Sequence, residues 1–302
     1  MNRISRGIIS GALGALVSIC SACSTGSVPS ASPSLGVAPA VVMPDIASTK
    51  AATEIRMAFA PDGARRLWGV VDSQSADGFE IVESVMEEAG WSAGTGVSFN
   101  SPSNDFDPFF APDGRSVLFF SNRPGGWGGD DLWSVSYDPA TRKYGEPVNL
   151  GPTVNTQGNE WAPALSQDGR TLLFSSDGHD GHGGQDLFTA ALTAAGWSVP
   201  VNLGDGVNSS ADDFDATFIG SDTLVYTSGD AEEGPIFLYL AHIAEGRFAG
   251  REQLQPPFNC SRGFNLGPSW TSIDPRNLYF SAACPEFGRG RSDIFVAPFE
   301  PH

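Results

Sequence analysis

Five polar residues recur along the chain at matching places: Glu54, Asp105, Glu160, Asp213 and Asn265. Each stands three residues before a proline (Pro108, Pro163, Pro268) or the position matching it (Met57, Ala216). Four are acids, so carboxylate chemistry comes first. Carboxylates brought close together repel, by a few kcal/mol per contact at an effective dielectric of about 20. A cation or a basic group seated among them at a channel mouth would relieve that. A pair held roughly 5 to 10 Å apart can instead hydrolyse a glycosidic bond. The plainer reading is that each acid accepts hydrogen bonds and staples its own segment to the next. Repetition in every unit favours the staple, because architecture repeats where a site usually does not. Ligand contact is the alternative.

Other residues suggest other chemistry. The loop SSDGHDGHGGQD places Asp177, His179, Asp180 and His182 at alternating spacing, a pattern that can take a divalent metal. The loop is glycine-rich and carries no HExxH signature, which favours a solvated loop. No cofactor is expected beyond such a cation. The loop SNRPGGWGGDD presents Arg123 and Trp127, either as an anchor for a partner or as a lid over its own segment. Asp131, Asp186 and Asp293, with Glu80 at the matching place, read as turn caps. Cys260 and Cys284 are expected to form a disulfide contributing about 3 kcal/mol, as befits an exported chain. No histidine is paired with either to make a nucleophilic thiol. A phosphate-binding glycine loop and a recognisable Ser-His-Asp spacing are both missing from the sequence.

The elements that must position these residues come from a repeat. DFDPFFAPDGRSVLFFSNRPGGWGGDDLWSVSY starts at Asp105, and EWAPALSQDGRTLLFSSDGHDGHGGQDLFTAAL starts at Glu160. Fainter copies start at Glu54, Asp213 and Asn265. Leu67, Val117, Leu172, Leu224 and Leu278 occupy one matching position, at spacings of 50, 55, 52 and 54. Each unit reads as four short strands separated by turn residues, with Asp-Gly turns at Asp62, Asp113 and Asp168. A unit of that size cannot cover both its faces alone, whereas radial stacking can. The expected fold is all-β: a five-bladed β-propeller of four-stranded antiparallel blades. A six-bladed ring would need about fifty further residues of the same pattern. The last unit ends near Pro298 after three strands, so Ala40 to Met43 is expected to close the ring as an N-terminal strand.

The repeat resembles the WD-repeat-like family with a Pro-Asp-Gly turn, found in TolB-like periplasmic propellers. The resemblance covers about residues 54 to 299 and implies partners such as envelope proteins or secreted peptides.

The first residues read as an address. Arg3 and Arg6 precede an apolar run from Ile8 to Ile19, too short to span a bilayer, and small residues lead to Cys23. This resembles a bacterial lipoprotein signal over residues 1–22 with lipidation at Cys23, although Cys20 stands where leucine is usual. Cleavage without a lipid and an uncleaved anchor are the alternatives. Residues 23–39 form a Ser/Pro-rich tether and 40–302 the propeller. Ser24 after the cysteine favours the outer membrane by the enterobacterial pattern, on the periplasmic side. The net charge of −18 disfavours nucleic acid and anionic headgroups, leaving the lipid anchor as the expected membrane contact. The function expected is a non-catalytic binding or scaffolding propeller of the cell envelope. A propeller glycoside hydrolase using the channel carboxylates is the alternative, followed by metal-dependent adhesion or storage.

Overall fold

The computed structural model describes residues 38–71, 78–230, 234–244, 247–260, 263–284 and 287–300. The signal segment, Cys23 and the tether up to residue 37 lie outside the described residues. The fold is a five-bladed β-propeller, all-β as expected.

Strand β1 (Ala40–Val41) stands apart from the first blade, which holds β2 (Thr53–Phe59), β3 (Arg65–Val71), β4 (Phe79–Glu87), β5 (Gly90–Trp91) and β6 (Thr95–Gly96). The second blade is β7 (Asp105–Phe110), β8 (Ser116–Ser121), β9 (Asp131–Asp138) and β10 (Lys143–Asn149). The third is β11 (Glu160–Leu165), β12 (Thr171–Ser176), β13 (Asp186–Thr193), β14 (Gly196–Trp197) and β15 (Val201–Asn202). The fourth is β16 (Asp212–Ile219), β17 (Thr223–Gly229), β18 (Ile236–Ala244) and β19 (Arg247–Gln253). The fifth has β20 (Asn265–Ser269), β21 (Asn277–Ala282) and β22 (Asp293–Pro298). The outer strand is broken in two in the first and third blades, where β5 and β6 both pair with β4, and β14 and β15 both pair with β13. In the third blade the break falls at Pro200, which has no N–H to give the ladder.

The second strand of every blade is buried on both faces because blades stack face to face. Leu67, Ile81, Val117, Phe119 and Val135 knit the first blade to the second. Leu173, Leu187, Leu224 and Tyr226 knit the third to the fourth, and Val225, Leu238, Phe280 and Phe295 the fourth to the fifth. Each such side chain, fully removed from water, stabilises the ring by roughly 1.5 to 3 kcal/mol.

The Asp-Gly turns follow from their residues. Gly63, Gly114 and Gly169 have φ of 71°, 67° and 69°, a conformation that costs glycine little. Each donates its N–H back to the carbonyl three residues earlier, and the aspartate before it caps the N–H two residues on.

The ring closes as the repeat requires. Strand β1 pairs antiparallel with β22, Ala40 opposite Val296 and Val41 opposite Phe295. The Val42 N–H donates to Ile294 O as Leu150 N–H does to Leu132 O. Val42 thus takes the place of Leu150, because the connection from Val42 to Glu54 is two residues longer than the one from Leu150 to Glu160. Behind the outer strand runs a second repeated device. Asn100, Asn155, Asn208 and Asn259 each use the side-chain amide to bond both the N–H and the C=O of one residue on the third strand: Ile81, Leu132, Leu187 and Leu238. In the closing blade the Ser48 hydroxyl does this for Ile294.

Candidate functional site

Three consecutive positions at the start of each inner strand build the centre of the ring. The first is the recurrent acid or amide. Glu54, Asp105, Glu160, Asp213 and Asn265 are at most 1 % exposed. Glu54 accepts from the backbone and hydroxyl of Thr49, Asp105 from those of Ser101, Glu160 from those of Thr156, and Asp213 from those of Ser209. Asn265 accepts from Cys260 N–H and donates to Ile236 O. Each therefore ties the strand to the loop that leads into it. Asp105 also receives Arg123 and Asp213 receives Arg251, while Glu160 receives the Ser176 hydroxyl. Burial pushes Glu54 and Glu160 up to about 7, against the pull of their hydrogen bonds.

The second position is apolar: Ile55, Phe106, Trp161, Phe214 and Leu266, all buried. They line a small cavity of about 50 Å³ on the face where the inner strands begin, together with Phe79 and Phe120.

The third position reaches the axis. Arg56, Asp107, Ala162, Asp215 and Gly267 all have positive φ, between 48° and 58°. In every blade the register of the inner strand shifts at this residue, a β-bulge repeated around the ring. A left-handed conformation costs a residue with a Cβ roughly 1–2 kcal/mol. Gly267 is glycine for a second reason, since a Cβ there would lie 3.0 to 3.2 Å from the backbone and Cβ of Arg56.

These bulges aim three ionisable groups at one another. Arg56 Nη2 donates to Pro163 O and Ala216 O, each at 3.2 Å, and Nη1 lies 3.9 Å from Asp215 Oδ1. Asp215 Oδ2 accepts from Gly267 N–H at 3.0 Å. Asp107 stands beside Asp215. Burial raises both acids, and the neighbouring Asp215 charge raises Asp107 further; Arg56 pulls both back. The three form a buried plug of one guanidinium and two carboxyl groups.

The plug separates two cavities of opposite character. Asp107, Asp130 and Asp215 border the small aromatic cavity. Arg56 borders a larger one of about 290 Å³, which opens between the Asp-Gly turns and is walled by Phe59, Phe110, Phe218 and Trp270.

The remaining sequence-derived candidates are placed as follows. Arg123 lies inward, bonded to Phe99 O and Asp105 with its guanidinium over the Phe119 and Trp133 rings. Trp127 is 48 % exposed at its loop tip. His179 Nε2 lies 2.8 Å from Val154 O, with its ring against Phe174 and Phe188, the place that Arg123 fills in the second blade and Arg251 in the fourth. Asp177 accepts from the backbone and side chain of Asn159. Asp180 and His182 are exposed. Among the described residues no group of three or more His, Cys, Asp or Glu side chains comes together to hold a metal ion. Asp131, Asp186 and Asp293 cap the N–H groups of the loops before them. Cys260 and Cys284 form the disulfide, linking the loop into β20 to the loop after β21.

Sequence reasoning passed over Arg56, Asp107 and Asp215. Their signal was a repeat position whose residue type changes from blade to blade, two places after the conspicuous acids.

No protein-family model matches the sequence, and no curated protein does. Solved structures do match. TolB from Acinetobacter baumannii is 14 % identical with a TM-score of 0.50, covering 82 % of this chain and 55 % of that one. A Hadza microbial sialidase, Hz136, is 12 % identical with a TM-score of 0.48, covering 83 % and 57 %. Bacillus subtilis levansucrase is 10 % identical with a TM-score of 0.48, covering 84 % of both chains. The chain thus spans about half the length of the TolB chain it matches. Likeness at this level of identity bears on the fold alone: the chain is a five-bladed β-propeller with TolB among its structural neighbours.

Proposed function

We propose that this chain is a non-catalytic binding and scaffolding propeller of the cell envelope, TolB-like in role. In this reading it is exported to the periplasm and held to the outer membrane through a lipid on Cys23. Its partners are envelope proteins or peptides; nucleic acid is disfavoured by the net charge of −18. One observation carries the preference for binding over hydrolysis. Glu54, Asp105, Glu160 and Asp213, the acids a hydrolase of this shape would use, are at most 1 % exposed and bonded within their own blades. A general acid or nucleophile must reach its substrate, and none of these four borders either cavity, whereas Arg56 does. What the larger cavity presents is aromatic, proline and hydroxyl surface around one buried arginine, a surface suited to holding a ligand.

The test is crosslinking in the native membrane followed by identification of the captured protein. Metabolic labelling with a fatty acid runs beside it, with Cys23→Ser as the control. The expected result is a captured envelope protein and a label lost in the variant. Polysaccharide hydrolysis by the purified chain, abolished by Glu160→Gln, would overturn the reading.

A further inference from the structure

We propose that the cavity between the Asp-Gly turns is a binding site for a carboxylate carried on an apolar body, seated against Arg56 and Ser269. The proposal rests on the binding reading above and names the chemistry of the ligand.

Arg56 is the one charged residue among the described residues lining this cavity, in a chain with 35 acids and 17 Lys and Arg. The described walls carry no carboxylate, and a guanidinium stands at their inner end. Two donors there are unused. Arg56 Nη1 and Ser269 Oγ are buried, both residues line the cavity, and neither atom has a hydrogen-bond partner among the described residues. Arg56 is 1 % and Ser269 7 % exposed. A buried donor left unmade costs about 1–3 kcal/mol, more when charged, so an acceptor arriving here recovers that cost.

The shape of the ligand's polar end follows from the two open donors. Asp215 stands 3.9 Å from Arg56 Nη1, too far for a hydrogen bond. One carboxylate offers two oxygens, one for Nη1 and one for the hydroxyl, whereas a dianion would bring a further charge with no donor to meet it between apolar walls. The walls dictate the rest: Phe59, Phe110, Phe218 and Trp270 suit an aromatic or aliphatic body. The volume of about 290 Å³ fits an acid of one ring or a short chain, or the last residue of a peptide. A free organic acid and a chain terminus share this chemistry.

The experiment titrates the purified chain at neutral pH by calorimetry with phenylacetate and hexanoate. Phenylacetamide and hexanamide serve as neutral isosteres. A peptide ending in phenylalanine is compared with its C-terminal amide. The acids are expected to bind about tenfold or more tighter than the amides. Ser269→Ala, which removes one hydroxyl and no volume the fold needs, is expected to weaken acid binding about five- to tenfold. Arg56→Lys should weaken it further, with thermal unfolding as the check that this variant folds. Tighter binding of the free-ended peptide than of its amide assigns the site to a partner's chain end; binding of the small acids alone assigns it to a metabolite. Equal affinity for acids and amides, no acid binding, or undiminished binding in Ser269→Ala would each overturn the site. None of those outcomes touches the crosslinking result, so failure here and failure of the envelope role are separable.

Discussion

Glu54 and Glu160 differ from Asp105 and Asp213 in their partners. The aspartates meet arginines, while Glu54 accepts from Thr49 and Glu160 from Thr156 and Ser176. Burial holds both glutamates up at about 7, whereas in the unfolded chain they titrate near 4.5. Between those values the folded state binds more protons, so stability falls as pH rises. The contribution is fully present below about 4.5 and lost as pH climbs through about 7. Each group supplies up to about 3 kcal/mol of this slope. The melting temperature is therefore expected to be higher at pH 5 than at pH 8, and Glu160→Gln should remove a measurable part of that difference. Gly267→Ala is expected to destabilise by about 1–3 kcal/mol in chemical denaturation, since the new Cβ meets the Arg56 backbone and the φ of 58° disfavours it. At this scale the sequence was partly legible. The recurrent acids stood out by sameness, and the bonds they make tie each inner strand to the loop before it, where the sequence suggested a staple to the next blade. Arg56, Asp107 and Asp215 were hidden because their position is marked by difference. Neither arginine nor alanine advertises the left-handed conformation that turns this position to the axis.

Among the elements, the amide bridges beneath the outer strands set the geometry of each blade. Asn155→Ala would strand both the N–H and the C=O of Leu132 in the interior, where Leu132 is fully buried. The expected loss is about 2–4 kcal/mol, read from the midpoint of urea unfolding with an unchanged slope. Strands two and three and the Asp-Gly turns were readable because turn chemistry is local: an aspartate cap and a glycine at positive φ need no distant partner. The split outer strands were not readable. The segment around Pro200 pairs twice with the strand just before it, β13, and the residue types on either side of the proline do not mark where pairing stops and resumes. The asparagine five residues before the acid in Asn155–Glu160 and Asn208–Asp213 was visible as a repeat, yet its task was not, because its partner is on the previous blade.

For the whole molecule, the ring was legible in the count of repeats and in the missing last strand, and β1 fills the gap. Its register could not be read from spacing alone, since the closing connection is two residues longer than its counterpart. The disulfide spans 24 residues of the closing blade. Replacing both Cys260 and Cys284 with serine should cost about 3 kcal/mol and lower the thermal midpoint without changing the strand content seen by circular dichroism or the radius of gyration seen by scattering.

The pairing of Ala40 with Val296 joins residues from nearly opposite ends of the polypeptide. A chain made amino end first must keep β1 unpaired until the final fifty or so residues have arrived, and so long-range a contact slows assembly. The same adjacency offers a remedy by circular permutation. A short linker from Pro298 to Ala40, with new ends cut after Gly151, would make the split blade continuous and move the seam between intact blades. Such a permutant should refold faster than the natural order while keeping its architecture; equal refolding rates would mean that late docking of β1 does not limit assembly.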